Sequence, residues 1–283
     1  MMKNQNTVPM KPALLKIEQL RPFEGHPYKV QDNEEMTVLS ESIRESGILS
    51  PLIVRPAGEN EYEVISGHRR LYAARKAGLT EVPVLICTLD RDAAAIALVD
   101  SNLHREHILP SEKAFAYKLK MEALAHQGIA CGQVGHKSRD AISDTDSGRQ
   151  VQRYIPLTYL IPELLEKMDK EEIAFSVGVE LSYLDEYSQR DVLEQCEIND
   201  CTPSYSQAWR MHKTDREGLL TRDVIQFIMS EEKPNQRETV KIPTEKLRKF
   251  APSADLRQLE DFVLKACEHY RKYLIRQRGR EER

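Results

Sequence analysis

The chain has 283 residues, with 41 Lys and Arg against 45 Asp and Glu and a formal net charge of −4. That length suits two or three small domains rather than one core, and the near-neutral balance excludes nucleic-acid binding by bulk charge, leaving only local patches. The longest apolar runs, such as Ala93–Val99, are too short to span a bilayer, the N-terminus lacks an apolar signal core, and five scattered cysteines argue against a disulfide framework, so a cytoplasmic protein is expected.

Residues 1–12 read as a disordered tail, and "LLKIEQL" as a short strand. Asp32 can N-cap a helix whose apolar residues Met36, Leu39 and Ile43 share a face, and Gly47 stops it. "PLIVRP" and "EYEVIS" are strands around the turn-like "AGEN". A helix over Arg69–Ala77 ends at Gly78, the strand "EVPVLIC" follows, and Asp90 opens the helix "RDAAAIALVDSN", closing an α/β unit near Glu106. The chain then turns helical. Pro110–Ser111 starts a helix with Ala114, Tyr117, Met121 and Leu124 on one stripe, closed by Gly128.

"RDAISDTDSGRQVQRYIPLTYL" has the shape of a helix-turn-helix. Ala141 and Ile142 supply inner positions of a first helix, Ser147–Gly148 the turn, and Val151, Tyr154 and Ile155 the buried stripe of the second. Arg149, Gln150, Gln152 and Arg153 then project outward, types that hydrogen-bond base edges or phosphates. In isolation the same segment also fits a solvated helix of a bundle. Pro156 removes a helical hydrogen bond at a cost of ~3 kcal/mol or more, so this helix is predicted to end or kink near Tyr154–Ile155. Short helices such as "PELLEKM" and one around "SVGVELSYL" continue to about Ser230. Acids dominate between Glu163 and Asp200, a face phosphates would avoid, which places DNA contact upstream, on Lys137, Arg139, Arg149 and Arg153, with the basic C-terminal tail as the other candidate. "SEEKPNQRET" reads as a linker. Beyond it come a short helix over Lys246–Phe250 and a long one over Leu256–Ile275, whose apolar face (Leu259, Phe262, Val263, Ala266, Tyr270) fits either packing or dimerisation.

The most informative stretch is "EYEVISGHRRLYAARKAGL". Arginine at a helix N-terminus opposes the helix dipole at ~0.3–1 kcal/mol per charge, and an anion reverses that cost. Gly67 at the strand-to-helix turn lets backbone N–H groups approach a bulky anion, and Arg69 and Arg70 add forked donors for phosphate oxygens. In "VDSNLHRE", Asn102 and Arg105 stand three residues apart on one helical side, a second donor set. Two arginine-bearing turns around one crevice suggest a polyphosphate pocket, the alternative being that these arginines pair with surface carboxylates and solvate a helix. The pairs Cys196/Cys201 and His104/His107 lack a second cluster at zinc-site spacing, so no metal site is expected.

In order and spacing, "ESIRESGILSPLIVRP", "EYEVISGHRRLYAARKAGLTEVPVLI" and "VDSNLHREHILPSEKAFAYKLKMEAL" resemble the ParB family of DNA-partition proteins over roughly Leu14–Leu184. The resemblance implies an α+β chain: a ParB-like mixed α/β nucleotide-binding domain over 13–106 (a fold shared with sulfiredoxin) and an all-α helix-turn-helix domain over 107–230. To these the residues themselves add a linker over 231–242 and C-terminal helices over 243–283 that do not resemble the family's usual dimerisation domain. It implies CTP with Mg2+ as cofactor, double-stranded DNA carrying a centromere-like site, a homodimer closing as a clamp, a ParA-type ATPase as partner, and association with nucleoid or plasmid. Gly67, Arg69 and Arg70 match the triphosphate turn, with His68 between them, and Asn102 and Arg105 match the second motif, preceded by Ser101. Three positions depart from the family pattern: Ser50 replaces a glutamine, His68 the glutamate of G-E-R-R, and Ser101 the glutamate of E-N-x-x-R that supports the metal-bound nucleotide. Nucleotide binding without efficient hydrolysis is therefore expected. "SGHRR" also resembles the sulfiredoxin turn, but Gly67 stands at the place of its cysteine, so thiol chemistry has no nucleophile. A transcriptional regulator with the same DNA domain, or a ParB-fold nuclease or nucleotide-dependent enzyme, is the alternative reading.

Overall fold

The computed structural model describes residues 9–105, 107–127, 146–231, 244–251 and 255–281. Residues 1–231 form one compact unit and 232–283 a second. The first unit opens with β1 (Met10–Lys16), a single 3-10 turn and β2 (Leu20–Pro22). Two expectations are corrected here. The tail predicted over 1–12 gives way to strand at Met10, and the single strand "LLKIEQL" is broken by the turn at Ile17–Gln19. The break is needed because β1 and β2 sit on opposite edges of one sheet, ordered β1-β5-β3-β4-β2.

Helix α1 (Glu34–Ser46) is capped by Asn33, whose side chain accepts the Met36 N–H at 3.1 Å, not by Asp32. Asp32 instead binds Lys76 and the Tyr72 hydroxyl. Strands β3 (Leu52–Gly58) and β4 (Glu61–Ser66) pair antiparallel, α2 (His68–Ala77) runs from Gly67 to Gly78, and β5 (Glu81–Cys87) pairs parallel with β3 and antiparallel with β1. Helix α3 (Arg91–Leu103) is capped by the Asp90 carboxylate at 2.7 Å from the Ala93 N–H.

Helix α4 (Pro110–His126) packs on α3, and the two expected domains, 13–106 and 107–230, are joined in the one unit. The reason is a shared core: Phe23, Ile65 and Cys87 from the sheet region pack with Leu98 and Val99 of α3 and with Ala116, Tyr117 and Val151 of the helical region. Each large apolar side chain in such a core contributes ~1.5–3 kcal/mol, so the halves stabilise each other. Helix α4 ends one residue before Gln127; Gly128, its predicted stop, lies outside the described residues, as do Lys137, Arg139, Ala141 and Ile142.

Helix α5 (Gly148–Tyr154) begins at Ser147, whose hydroxyl accepts the Gln150 N–H. Ser147 is thus the N-cap and Gly148 the first helical residue, where the sequence reading puts both in a turn. A 3-10 segment over Ile155–Tyr159 follows at once, because Pro156 cannot donate to the α-helical ladder. Five short helices complete the unit: α6 (Pro162–Asp169), α7 (Phe175–Leu181), α8 (Glu186–Ile198), α9 (Tyr205–Arg216) and α10 (Arg222–Ser230). Their core is a separate cluster built on Leu157, Leu164, Leu181, Val192, Met211 and Ile225. The second unit holds α11 (Thr244–Arg248) and α12 (Leu256–Glu281). No helix of the described residues is long and apolar enough to cross a membrane.

Candidate functional site

Gly67 is the N-cap of α2, at φ 104° and ψ 25°, a backbone setting that L side chains rarely adopt. A Cβ there would stand 3.1 Å from both Leu52 Cγ and Arg70 Nη2. The first intrahelical bond is Leu71 N–H to Gly67 O, so the N–H groups of His68, Arg69 and Arg70 precede the helical ladder, and the helix N-terminus is electropositive. Sequence order placed Gly67 at this turn; the fold adds the second motif. The C-terminal end of α3 brings Ser101, Asn102 and Arg105 to the same place, and all of Gly67, His68, Arg69, Arg70, Ser101, Asn102 and Arg105 line one cavity of about 240 Å³.

The cations in it are held differently. Arg70 donates through Nη1 to the carbonyl oxygens of Ser50 and Pro51, the latter at 3.0 Å, and burial pushes its guanidinium pKa down. Arg69 pairs with Glu35 at 2.9 Å, and the Glu35 side chain is 72% exposed, so the arginine is easily exchanged to another anion. Arg105 is exposed and, among the described residues, has no carboxylate within ion-pair distance. The Asn102 amide and the Ser101 hydroxyl both donate to Leu98 O, at 2.8 and 2.9 Å.

Sequence reasoning missed His26, Tyr28, Lys29, Val30 and Ser66, which also line the cavity. The loop "HPYKV" carries no motif, and its position is set only by tertiary contacts. The Lys29 N–H donates to Glu112 at 2.8 Å and its ammonium pairs with Asp169 at 3.1 Å. The rings of His26 and His68 lie 3.6 Å apart. His68 Nε2 accepts the Phe23 N–H at 3.3 Å, and burial, with repulsion from His26, pushes the His68 pKa down to about 3. Burial lowers His26 as well. Both imidazoles are therefore neutral near pH 7, and His68 puts an uncharged ring at the position where the family pattern has a glutamate.

Asp100 does not line the cavity; it pairs with Lys120 of α4, whose side chain is only 9% exposed. Adjacent positions on a helix point ~100° apart, which accounts for Ser101 facing the cavity while Asp100 faces α4. On α5, Arg149, Gln152 and Arg153 are exposed and Gln150 is half-buried. The Arg153 guanidinium lies 5.0 Å over the Phe175 ring.

A strand-to-helix turn and a second helix end thus line one cavity of a mixed α/β domain with guanidiniums and backbone N–H groups, chemistry that suits an anion. Residues 2–103 match the family model described as "ParB N-terminal domain", so this part of the chain is similar to that domain. The chain is 38% identical over 160 residues to the chromosome-partitioning protein Spo0J of Thermus thermophilus, covering 56% of this chain and 55% of that protein. It is 42% identical over 132 residues to the probable chromosome 1-partitioning protein ParB of Deinococcus radiodurans, covering 46% of this chain and 44% of that one. The matches thus span about half the length of these curated relatives. Among solved structures it is similar to a C-terminally truncated chromosome-partitioning protein ParB from Caulobacter crescentus complexed with CTP-gamma-S, at 26% identity and a TM-score of 0.32, covering 62% of this chain and 93% of that one.

Proposed function

We propose that this chain is a nucleotide-binding partition protein that takes CTP in the cavity between Gly67 and Arg105 and contacts double-stranded DNA through α5. One observation carries the reading: two motifs separated by thirty residues (Gly67–Arg70 and Ser101–Arg105) line a single cavity that holds no carboxylate among its described residues. That lining fits a triphosphate. The first N–H groups of α2, Arg69 released from Glu35, and Arg105 would hold the phosphates, each charged hydrogen bond contributing ~1.5–3 kcal/mol. Arg70 acts one step back, tying the Gly67 turn to the carbonyls that precede β3. The choice of cytosine rests on the ParB resemblance, as do the homodimer and the ParA-type ATPase partner.

Bound CTP supplies a phosphoanhydride whose cleavage needs stabilisation of charge developing on the transferred phosphoryl group. With Ser101 in the place of a glutamate and Asp100 turned onto Lys120, no acid among the described residues lines the cavity to assist it, so binding outlasts turnover. On the DNA side, the exposed Arg149, Gln152 and Arg153 with Gln150 make the contacting face of a helix shortened by Pro156. Lys137 and Arg139 join it by position in the sequence. Calorimetric titration with CTP, ATP and GTP, with and without DNA from the protein's own locus, tests the reading. CTP-selective binding enhanced or altered by DNA supports it; no nucleotide binding under any condition overturns it. DNA binding without any nucleotide effect favours a transcriptional regulator instead.

A further inference from the structure

We infer that the cavity takes its nucleotide as the free polyanion, with no divalent cation ligated by the protein. This rests on the nucleotide reading above and concerns the form of the ligand. Magnesium does not fit the donor set. Hard divalent cations are held by carboxylate oxygens alongside phosphate oxygens, and the described lining of the cavity has no Asp or Glu but has Lys29, Arg69, Arg70 and Arg105. Of these, Arg69 and Arg105 are the counter-charge of the triphosphate, and a metal ion between them and the phosphates would meet like charge.

The side-chain oxygens and nitrogens that remain in the described lining belong to neutral groups, which offer a divalent cation no charge. Ser101 and Asn102 spend their donors on Leu98 O, and Asn102 also donates to the Ser101 hydroxyl at 3.3 Å. The His68 Nε2 lone pair accepts the Phe23 N–H, so it is not open to a metal. Asp100 is the acid nearest in sequence to Ser101, and drawing it into the cavity would strip Lys120, whose ammonium is mostly buried, of its partner. In the groove beside the cavity, Asp169 takes the N–H and hydroxyl of Ser111 and the Lys29 ammonium, and Glu112 takes the N–H groups of Lys29 and Leu109. Glu35 of the same groove holds Arg69. Among the described residues no group of three or more His, Cys, Asp and Glu side chains is placed to hold a metal ion.

The test is calorimetric titration of the full chain with CTP in magnesium and again in excess EDTA, alongside Ser101→Glu. The expected result is an affinity that changes by less than about threefold on chelation in the natural chain, while Ser101→Glu weakens by tenfold or more in EDTA, tenfold being ~1.4 kcal/mol. Circular dichroism of the variant checks that it is folded. A loss of tenfold or more in EDTA for the natural chain overturns the inference and leaves the nucleotide reading standing. Heat in neither buffer overturns both. Glu106, which lies outside the described residues, provides a second check: Glu106→Gln should leave the affinity in magnesium unchanged, and a loss there that EDTA reproduces in the natural chain overturns the inference.

Discussion

The cavity and the outer face of α5 both offer arginines to an anion, yet they are built in opposite ways. In the cavity the surroundings are fixed by the fold: a glycine backbone in a setting other residues avoid, two carbonyls under Arg70, a closely packed, tilted pair of neutral imidazoles. On α5 the cations stand on the exposed side of a two-turn helix that a proline ends. Preorganised donors act together, so losing one disrupts the rest; exposed donors contribute separately and are screened by salt. Substitutions should therefore be severe in the cavity and graded on α5.

Gly67→Val gives the largest expected effect. The new Cβ meets Leu52 and Arg70 at 3.1 Å on a left-handed backbone, so CTP binding should vanish and stability should fall by roughly 1–3 kcal/mol. Calorimetry and urea midpoints check the two parts, and normal CTP affinity in this variant would break the contrast at once.

Arg105→Ala and Arg70→Ala separate the roles of two arginines in the same cavity. Removing Arg105 should weaken CTP by tenfold or more, ~1.5–3 kcal/mol, at unchanged stability, because its guanidinium holds no described carboxylate in place. Arg70→Ala should weaken binding and also unfold at lower denaturant, because the carbonyls of Ser50 and Pro51 lose their donor. Equal stability of the two variants would remove the supporting role given to Arg70.

Acidification probes the imidazoles. The His68 pKa is about 3 in the fold and near 6.5 in the unfolded chain, so the unfolded state binds the extra proton between these values. Stability contributed by neutral His68 is complete above pH ~6.5 and lost as pH falls toward 3, at up to ~1.4 kcal/mol per pH unit. His68→Gln should flatten that slope in denaturant titrations across the window. An unchanged slope assigns the acid sensitivity elsewhere.

Phosphate release with CTP, magnesium and DNA should be slow in the natural chain and faster in Ser101→Glu. Asp100→Asn should lower stability through Lys120 while leaving turnover as it was. Fast turnover abolished by Asp100→Asn would make Asp100 the working acid.

The smallest expected effect lies on α5. The double change Arg149→Ala with Arg153→Ala should reduce the salt slope of DNA binding by up to roughly two, about one per lost phosphate contact. Arg153→Ala alone should also cost ~0.5–1 kcal/mol of stability through the lost stacking over Phe175. An abrupt, complete loss of DNA binding would mean that α5 too is a preorganised site.

By itself the sequence determined the local elements and the two halves of the site. Glycine at a strand end, Asp90 before an apolar helix and Pro156 after α5 act through their own backbone chemistry, so Gly67, the start of α3 and the end of α5 were legible residue by residue. Two arginines opposing a helix dipole pointed to an anion for the same reason. Other features were decided only in three dimensions. Asn33 rather than Asp32 caps α1 because Asp32 is drawn to Lys76 and Tyr72, distant in sequence. The sheet region and the helical region form one unit because a core crosses the boundary their compositions suggest. The loop with His26, Tyr28 and Lys29 becomes a cavity wall through Val99, Glu112 and Asp169. Arg69 and Arg70 stand side by side in sequence, yet one faces an exposed carboxylate and the other two carbonyls; burial, which no local pattern encodes, leaves the first on an exposed partner and ties the second to the turn.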